Sequence, residues 1–243
     1  MLGVQKLLAL AFSLLLHISG TNSINFIISN NCPYTIWPGT LTGSGPPLPT
    51  TGFELAHGAS FTIAALPSWS GRIWARSQCH VDGATQRFVC ASADCGTGQI
   101  ACRGAGAIPP ATLAEFTLNG NGNMDFYDVS LVDGFNLPIS VVPQGCPTTG
   151  CLVDINNKAC PPELAIKDGS GGIIGCKSAC LAFQQPQYCC TGAFSTPQTC
   201  PPTSYSSIFK SQCPLAYSYA YDDKSSTFTC RSGSTDYHIT FCP

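Results

Sequence analysis

Charged residues are scarce in this sequence. Asp, Glu, Lys and Arg together make up 10% of the 243 residues, against about 25% in an ordinary soluble domain. The formal net charge is −2, so the chain lacks the basic excess typical of nucleic acid-binding proteins, and we expect no nucleic acid partner. It also lacks a heptad repeat, a collagen period and a charge-rich segment, which excludes coiled coils, collagen-like fibres and disordered chains.

Long apolar runs are also missing, with one short exception near the N-terminus. Residues 7–16 form an apolar run of ten residues, about half of the roughly 20 that a membrane-spanning helix needs. Lys6, the only charged residue among the first 53, precedes this run, and small polar residues at 19–23 follow it. This order is typical of a secretory signal peptide, whereas nothing would cap a buried N-terminal helix. We therefore predict a signal peptide over residues 1–23, export of residues 24–243, and no stable insertion into a membrane.

Cysteine, in contrast, is abundant: the chain has 16, and all of them follow residue 23. An even number of cysteines in an exported protein predicts disulfide bonds, here eight. A zinc site is the competing interpretation, but only His57, His80 and His238 lie in the exported part and none neighbours another. We therefore expect no metal ion and no cofactor. The pairing stays open at this point, since connectivity does not follow from a sequence. If Cys32 and Cys242 pair, the bond fastens both ends of the exported chain.

Glycine and proline are frequent, with 24 and 19 residues, and both favour turns between short strands over long helices. The pattern predicts a mainly β protein built as an antiparallel sandwich or barrel. Eight short runs have the alternating or β-branched pattern of strands: 24–29, 61–65, 73–77, 113–118, 125–132, 139–142, 227–230 and 237–241.

One stretch departs from this pattern. Residues 146–200 contain eight of the 16 cysteines, together with two consecutive prolines and a glycine-rich turn. We interpret it as a lobe of loops held by disulfides, with one short helix near residues 176–184. The sequence has no internal repeat and no long linker. Residues 24–243 are therefore expected to form one domain, in which 24–145 and 201–243 supply most of the sandwich.

Residues 86–102 read QRFVCASADCGTGQIAC and resemble the signature of the thaumatin family. Gln86 replaces a glycine of that signature and Ser92 replaces a threonine, but none of its cysteines is lost. Together with the signature, further stretches that look like the same family span the exported chain. These are 31–37, 71–76, 112–116, 133–136, 188–190 and 240–243.

The resemblance implies a plant thaumatin-like protein of the pathogenesis-related type. It implies a flattened antiparallel β-sandwich, a disulfide-rich loop lobe, and an acidic cleft between the two. It also implies a set of eight disulfides. The implied pairs are Cys32–Cys242, Cys79–Cys90, Cys95–Cys102, Cys146–Cys230, Cys151–Cys213, Cys160–Cys176, Cys180–Cys189 and Cys190–Cys200.

Acidic residues are few, so their positions matter. Taken alone, each is expected to be a solvated surface charge. The resemblance changes this expectation, because antifungal members carry one Arg, one Glu and three Asp around the cleft. The matching positions are Arg72, Glu115, Asp128, Asp133 and Asp222, the last of which adjoins Asp223.

A cluster of this kind suits a glucan, because carboxylates accept hydrogen bonds from sugar hydroxyls and aromatic rings pack on the apolar side of a sugar. The aromatic candidates for ligand binding are Phe126, Phe135 and Tyr219.

The same cluster could also support hydrolysis. Crowded carboxylates raise one another's pKa, and glycoside hydrolysis needs one protonated and one ionised carboxyl. On that reasoning Glu115 is the candidate acid, and Asp128 or Asp133 would activate water or act as the nucleophile.

These observations predict a secreted, monomeric, antifungal protein that binds β-1,3-glucan or another cell-wall polysaccharide through the acidic cleft. Binding without efficient turnover is favoured over a weak endo-β-1,3-glucanase that uses the same residues. Membrane perturbation is a third interpretation, but the sequence has no amphipathic helix or cationic face to carry it. The sequence stops one residue after Cys242, whereas vacuolar relatives usually extend further, so we expect an extracellular location.

Overall fold

The structure is a computed structural model that describes residues 23–233 and 235–243. The predicted signal peptide lies outside the described residues, apart from its last residue, Ser23. Across the described ranges, no helix is both long enough and apolar enough to cross a membrane.

Thirteen strands and five helices follow one another along the described chain. The strands are β1 (Ile24–Asn30), β2 (Trp37–Ser44), β3 (Ser60–Ala65), β4 (Ser70–Val81), β5 (Phe88–Ser92), β6 (Leu113–Thr117), β7 (Met124–Ser130), β8 (Ile139–Pro143), β9 (Thr149–Cys151), β10 (Ala165–Lys167), β11 (Ile173–Cys176), β12 (Phe228–Arg231) and β13 (Tyr237–Phe241). The helices are α1 (Ile155–Lys158), α2 (Ala179–Phe183), α3 (Pro186–Cys189), α4 (Ser204–Gln212) and α5 (Asp223–Ser226).

The strands form two main sheets and one hairpin. The first sheet has the order β3-β1-β13-β8-β9, the second has the order β12-β7-β6-β4-β2 with β5 also paired to β4, and β10 pairs with β11. The prediction of a mainly β fold is confirmed, and the sheets of the described chain do not close into a barrel.

The first and last strands, β1 and β13, pair in parallel, while the other strand pairs of the described chain are antiparallel. The expectation of an antiparallel sandwich therefore needs a correction at this one pair. Parallel strands end on the same side of a sheet, so Cys32, just after β1, lies beside Cys242, just after β13. The disulfide between them closes this side of the sheet.

Aromatic side chains from both sheets meet in the core. Phe26 of the first sheet packs on Phe116 of the second, with ring centroids 4.7 Å apart. Tyr237 of the first sheet contacts Phe116 at 5.2 Å and Tyr127 of the second at 5.4 Å. Buried and half-buried residues alternate along β1, as the period of two in a strand requires. The inner faces of both sheets therefore pack against each other to form the core.

The outer face of the second sheet is covered at only one end. Trp74 and Leu113 point outward from β4 and β6, but both are buried in a second apolar cluster with Cys95 and Cys102. Arg72, two residues before Trp74, and Glu115, two residues after Leu113, lie on the same outer face and are accessible to solvent. The open part of this face begins where the covering segment ends, and this is where the groove described below lies.

The structure joins all 16 cysteines in the eight pairs that the resemblance implies. Residues 146–200 contain β9, the β10–β11 hairpin and three short helices, among them α2 where a helix was predicted. Residues 201–226 carry α4 and α5, and strands resume only at β12. Within 201–243, the strands of the sandwich are therefore β12 and β13.

Removing the Cys32–Cys242 bond in the variant Cys32→Ala/Cys242→Ala should lower the free energy of unfolding by about 5 kcal/mol. The bond closes a loop with a sequence separation of 210, and the entropy that a crosslink removes from the unfolded chain grows with loop length. The matched control is Cys180→Ala/Cys189→Ala, which opens a loop with a separation of 9 and should cost about 3 kcal/mol. Urea unfolding measures both losses, and equal losses would contradict this explanation.

Candidate functional site

A row of polar side chains crosses three neighbouring strands of the second sheet. Arg72 of β4 lies directly opposite Glu115 of β6, and Glu115 lies directly opposite Asp128 of β7. Directly opposed residues of antiparallel strands have Cβ atoms about 4.5–5.5 Å apart. The strand register therefore brings one guanidinium and two carboxyl groups into contact distance on the open face.

Arg72 is the cation at the centre of this site. Its Nε lies 2.8 Å from Glu115 Oε1, and its Nη1 lies 3.9 Å from Asp133 Oδ2. The Arg72 side chain is 49% exposed and that of Glu115 is 30% exposed, so the pair contributes little to stability. Its effect is to orient the Glu115 carboxylate and to compensate part of the negative charge around it.

Asp128 lies deeper than its neighbours. Its Oδ1 is buried and, among the described residues, has no hydrogen-bond partner. Burial and the nearby Glu115 carboxylate raise the pKa of Asp128 to about 8, although Arg72 opposes this shift. Burial also raises the pKa of Glu115, and Arg72 again opposes it. Burial therefore favours the protonated form of Asp128, which can donate a hydrogen bond to a ligand.

The row forms the shared floor of two adjoining depressions, with volumes of about 480 and 370 Å³. One extends over Thr117, the last residue of β6, and its neighbour Phe126 of β7. The other extends past Asp133 to Tyr217 and Asp223, which lie between α4 and β12. Because both depressions are lined by Arg72, Glu115 and Asp128, they form one continuous open groove.

The three aromatic candidates for ligand binding lie in different parts of the structure. Phe126 lines the groove beside Asp128. Phe135 is fully buried in the main core, which leaves it no surface for a ligand and corrects its expected binding role. Tyr219 lines a neighbouring hollow of the disulfide-rich lobe, which shares Val132 and Ala220 with the groove. Of the three rings, Phe126 is the one placed beside the charged row.

The last acid of the implied set is also placed differently from the others. Asp222 does not line the groove, because its carboxylate faces Lys210, whose Nζ lies 2.9 Å from Asp222 Oδ2. The adjoining Asp223 lines the groove with Tyr217 and Asp128. Tyr217 was not singled out from the sequence, where the aromatic run 217–221 was the available signal. The structure thus brings Arg72 together with Glu115, Asp128 and Asp133, and leaves Asp222 outside.

The acids of the site are not arranged as metal ligands. Within residues 23–233 and 235–243, no group of three or more His, Cys, Asp or Glu side chains could hold a metal ion. The groove instead combines hydrogen-bond acceptors at Glu115 and Asp133 with donors at Arg72 and protonated Asp128. This mixture suits a ligand rich in hydroxyl groups.

Comparison with known proteins supplies the family. Residues 30–243 match the sequence profile of the Thaumatin family. The chain belongs to the thaumatin family. The resemblance of residues 86–102 to the signature of that family is thereby confirmed, with the two departures at Gln86 and Ser92.

Two plant proteins show how close the similarity is. The chain is 58% identical over 244 residues to Thaumatin-like protein 1 of Pyrus pyrifolia, covering 98% of this chain and 99% of that protein. It is 54% identical over 248 residues to a Prunus avium protein named Glucan endo-1,3-beta-glucosidase, covering 99% of this chain and 100% of that protein.

The thaumatin-family fold also has a counterpart among solved structures. The laminaripentaose-producing β-1,3-glucanase in complex with laminaritetraose superposes with a TM-score of 0.61. The match covers 91% of this chain and 99% of the glucanase chain, at 13% sequence identity. At this identity the similarity establishes a shared fold.

The protonation of Asp128 can be tested through stability. The pKa of Asp128 rises from 3.8 to about 8 on folding, so its contribution to stability is complete below about pH 4 and is lost as pH rises through 8. Asn cannot ionise and avoids this loss. Asp128→Asn should therefore stabilise the protein relative to wild type, increasingly between about pH 4 and 8, by up to about 1.4 kcal/mol per pH unit.

Urea unfolding across this pH range measures the difference. The matched control is Asp168→Asn, because hydrogen bonds from Ser170 lower the pKa of the Asp168 carboxyl. Its stability difference from wild type should stay constant between about pH 4 and 8. A difference between Asp128→Asn and wild type that does not change with pH would show that Asp128 is ionised throughout.

Proposed function

We propose that this member of the thaumatin family is a secreted, antifungal-type protein that binds β-1,3-glucan, or a related cell-wall polysaccharide, in the groove over Arg72, Glu115 and Asp128. The observation that carries the proposal is the cross-strand row of these three side chains on the floor of one continuous, open groove. The predicted signal peptide supports export.

The chemistry of the row matches a neutral sugar chain. Each hydroxyl of a sugar both donates and accepts a hydrogen bond, so a site for it needs both kinds of partner. Glu115 and Asp133 accept, Arg72 donates, and Asp128 donates while it is protonated. Phe126, half-buried beside Asp128, offers an apolar surface for the C–H side of a sugar ring.

The relatives support the same ligand class. The Prunus avium protein, 54% identical over nearly the whole chain, is named as a glucan endo-1,3-β-glucosidase. The structural counterpart at 13% identity was solved in complex with laminaritetraose, and it supports the proposal only through the shared fold.

Binding through the groove predicts that the double variant Asp128→Asn/Asp133→Asn is retained much less on insoluble β-1,3-glucan than wild type. Losing one polar contact with a ligand costs about 1–3 kcal/mol, which is roughly five- to a hundredfold in affinity. The control Asp168→Asn removes one carboxylate charge from an exposed turn outside the groove. This matches the double variant, because burial favours the uncharged form of Asp128. A pull-down measures retention, and equal retention of all three proteins would place the binding site elsewhere.

Slow hydrolysis in the same groove is the second candidate function. The observation that favours it is a pair of directly opposed carboxyls in unequal surroundings. Burial raises the pKa of Asp128 to about 8, while Glu115, whose pKa burial also raises, is paired with Arg72, which opposes the shift. Glycoside hydrolysis needs one carboxyl in each state. The sequence-based interpretation assigned the acid role to Glu115, whereas the burial of Asp128 favours the reverse, with Glu115 or Asp133 as the ionised partner.

The two assignments differ in their response to the leaving group. If Asp128 is the general acid, Asp128→Asn should slow release of reducing ends from β-1,3-glucan by about 10²–10⁴-fold. The loss should be much smaller on an aryl glycoside whose phenolate leaves without protonation. Glu115→Gln should be slow on both substrates, because it lacks the ionised partner.

A reducing-end assay on the glucan and release of the phenol from the glycoside measure these rates, and the pull-down described above corrects for binding. The opposite pattern would return the acid role to Glu115. If wild type releases no sugar from either substrate, the hydrolase proposal is wrong and only the binding proposal stands.

A further inference from the structure

Asp222 and Asp223, two consecutive acids at the lobe side of the groove, contact different residues. The Asp222 carboxylate accepts hydrogen bonds from Ser218 N at 3.0 Å, Ser218 Oγ at 2.9 Å and Ser225 Oγ at 3.1 Å. It also lies 2.9 Å from Lys210 Nζ, and its side chain is only 12% exposed. Both oxygens of this carboxylate have partners within the protein, so Asp222 is directed towards the protein and away from a ligand.

Lys210 explains why Asp222 is held so firmly. The Lys210 Nζ also donates to Ala216 O at 3.0 Å and to Ser226 Oγ at 2.9 Å. One ammonium group thereby connects α4 to the two ends of the segment 216–226. A half-buried ion pair with this many hydrogen bonds fixes the conformation of the segment.

Asp223 is exposed and lines the groove. Tyr217 donates a hydrogen bond to Asp223 Oδ1 at 2.8 Å, while Oδ2 accepts none from the described residues. Tyr217 is itself fixed to β7, because its N–H donates to Val129 O and its carbonyl accepts from Leu131 N, both at 2.8 Å. Asp223 is thus held beside the row by one contact and keeps a free oxygen.

We propose that Asp223, and not Asp222, is the acid with which the lobe contacts the ligand, and that Asp222 with Lys210 is a positioning pair that holds the segment in place. The inference rests on the proposed function, since it assigns a further binding residue to the same groove. The Asp223 carboxylate accepts a hydrogen bond from a sugar hydroxyl on the side of the groove opposite Arg72. Tyr217 orients that carboxylate.

The charged groups around Asp128 give a readout that needs no ligand. Glu115 from β6, Arg72 from β4 and Asp223 from α5 act on its pKa: the two carboxylates raise it and the guanidinium lowers it. Tyr217 adds a protonated hydroxyl, because burial raises its pKa above the usual value. Removing the charge of Asp223 should therefore lower the pKa of Asp128, whereas Asp222, paired with Lys210, should not affect it.

The closing experiment compares Asp223→Asn with Asp222→Asn, a pair that removes the same charge from adjacent positions. Titration calorimetry with laminaritetraose measures affinity, and carboxyl NMR of the free protein measures the pKa of Asp128. Asp223→Asn should weaken binding about five- to a hundredfold, lower the pKa of Asp128 and unfold at the wild-type temperature, since the amide oxygen of the new side chain can still accept from Tyr217. Asp222→Asn should lower the unfolding temperature and bind with near wild-type affinity at a temperature where it is folded.

Equal weakening by both substitutions, or weakening by Asp222→Asn alone, would overturn the assignment. An Asp128 pKa that is unchanged in Asp223→Asn would overturn the placement of Asp223 without reference to any ligand. Wild-type protein that binds neither laminaritetraose nor insoluble β-1,3-glucan would instead contradict the proposed function. The two failures are therefore distinguishable.

Discussion

The register between β4, β6 and β7 is the constraint on which the groove depends. Residues Ile73, Phe116 and Tyr127 of these strands face the core, which places their neighbours Arg72, Glu115 and Asp128 on the opposite face. A slip of one residue would exchange the two faces and bury the charges. The packing of the hydrophobic core therefore fixes the strand register, and this register alone brings the three polar side chains together.

Burial of Asp128 sets the acid–base properties of the polar row, because it raises the pKa of this carboxyl. The second sheet is covered by the Cys95–Cys102 segment on one side of the groove and approached by Tyr217 and Asp223 on the other. Between them, one carboxyl oxygen of Asp128 is buried and burial raises the pKa of Asp128, whereas the Glu115 carboxyl is paired with Arg72. The two adjacent carboxyls therefore differ in depth and in their partners.

Most strands could be predicted from the sequence because their residues alternate or are β-branched, as in β1, β3 and β13. The strand β2 was missed, since Pro38 and Gly39 resemble a turn. Proline is tolerated there because β2 is an edge strand, and Gly39 is needed because a Cβ would lie 2.6 Å from the Trp74 ring. Helix α4 was also missed: its capping box of Thr203 and Ser206 is a weak signal in a serine-rich stretch.

The sequence by itself determined the mainly β class, through its residue patterns and spacings. Its resemblance to the thaumatin family implied the disulfide framework and four residues of the proposed site: Arg72, Glu115, Asp128 and Asp133. Only the tertiary structure decided that Phe135 is buried, that burial raises the pKa of Asp128, and that Asp223 rather than its neighbour reaches the groove. The reason is physical: burial, pKa and the direction of a side chain depend on segments distant in sequence, such as Lys210 beside Asp222, and adjacent identical residues cannot be told apart without them.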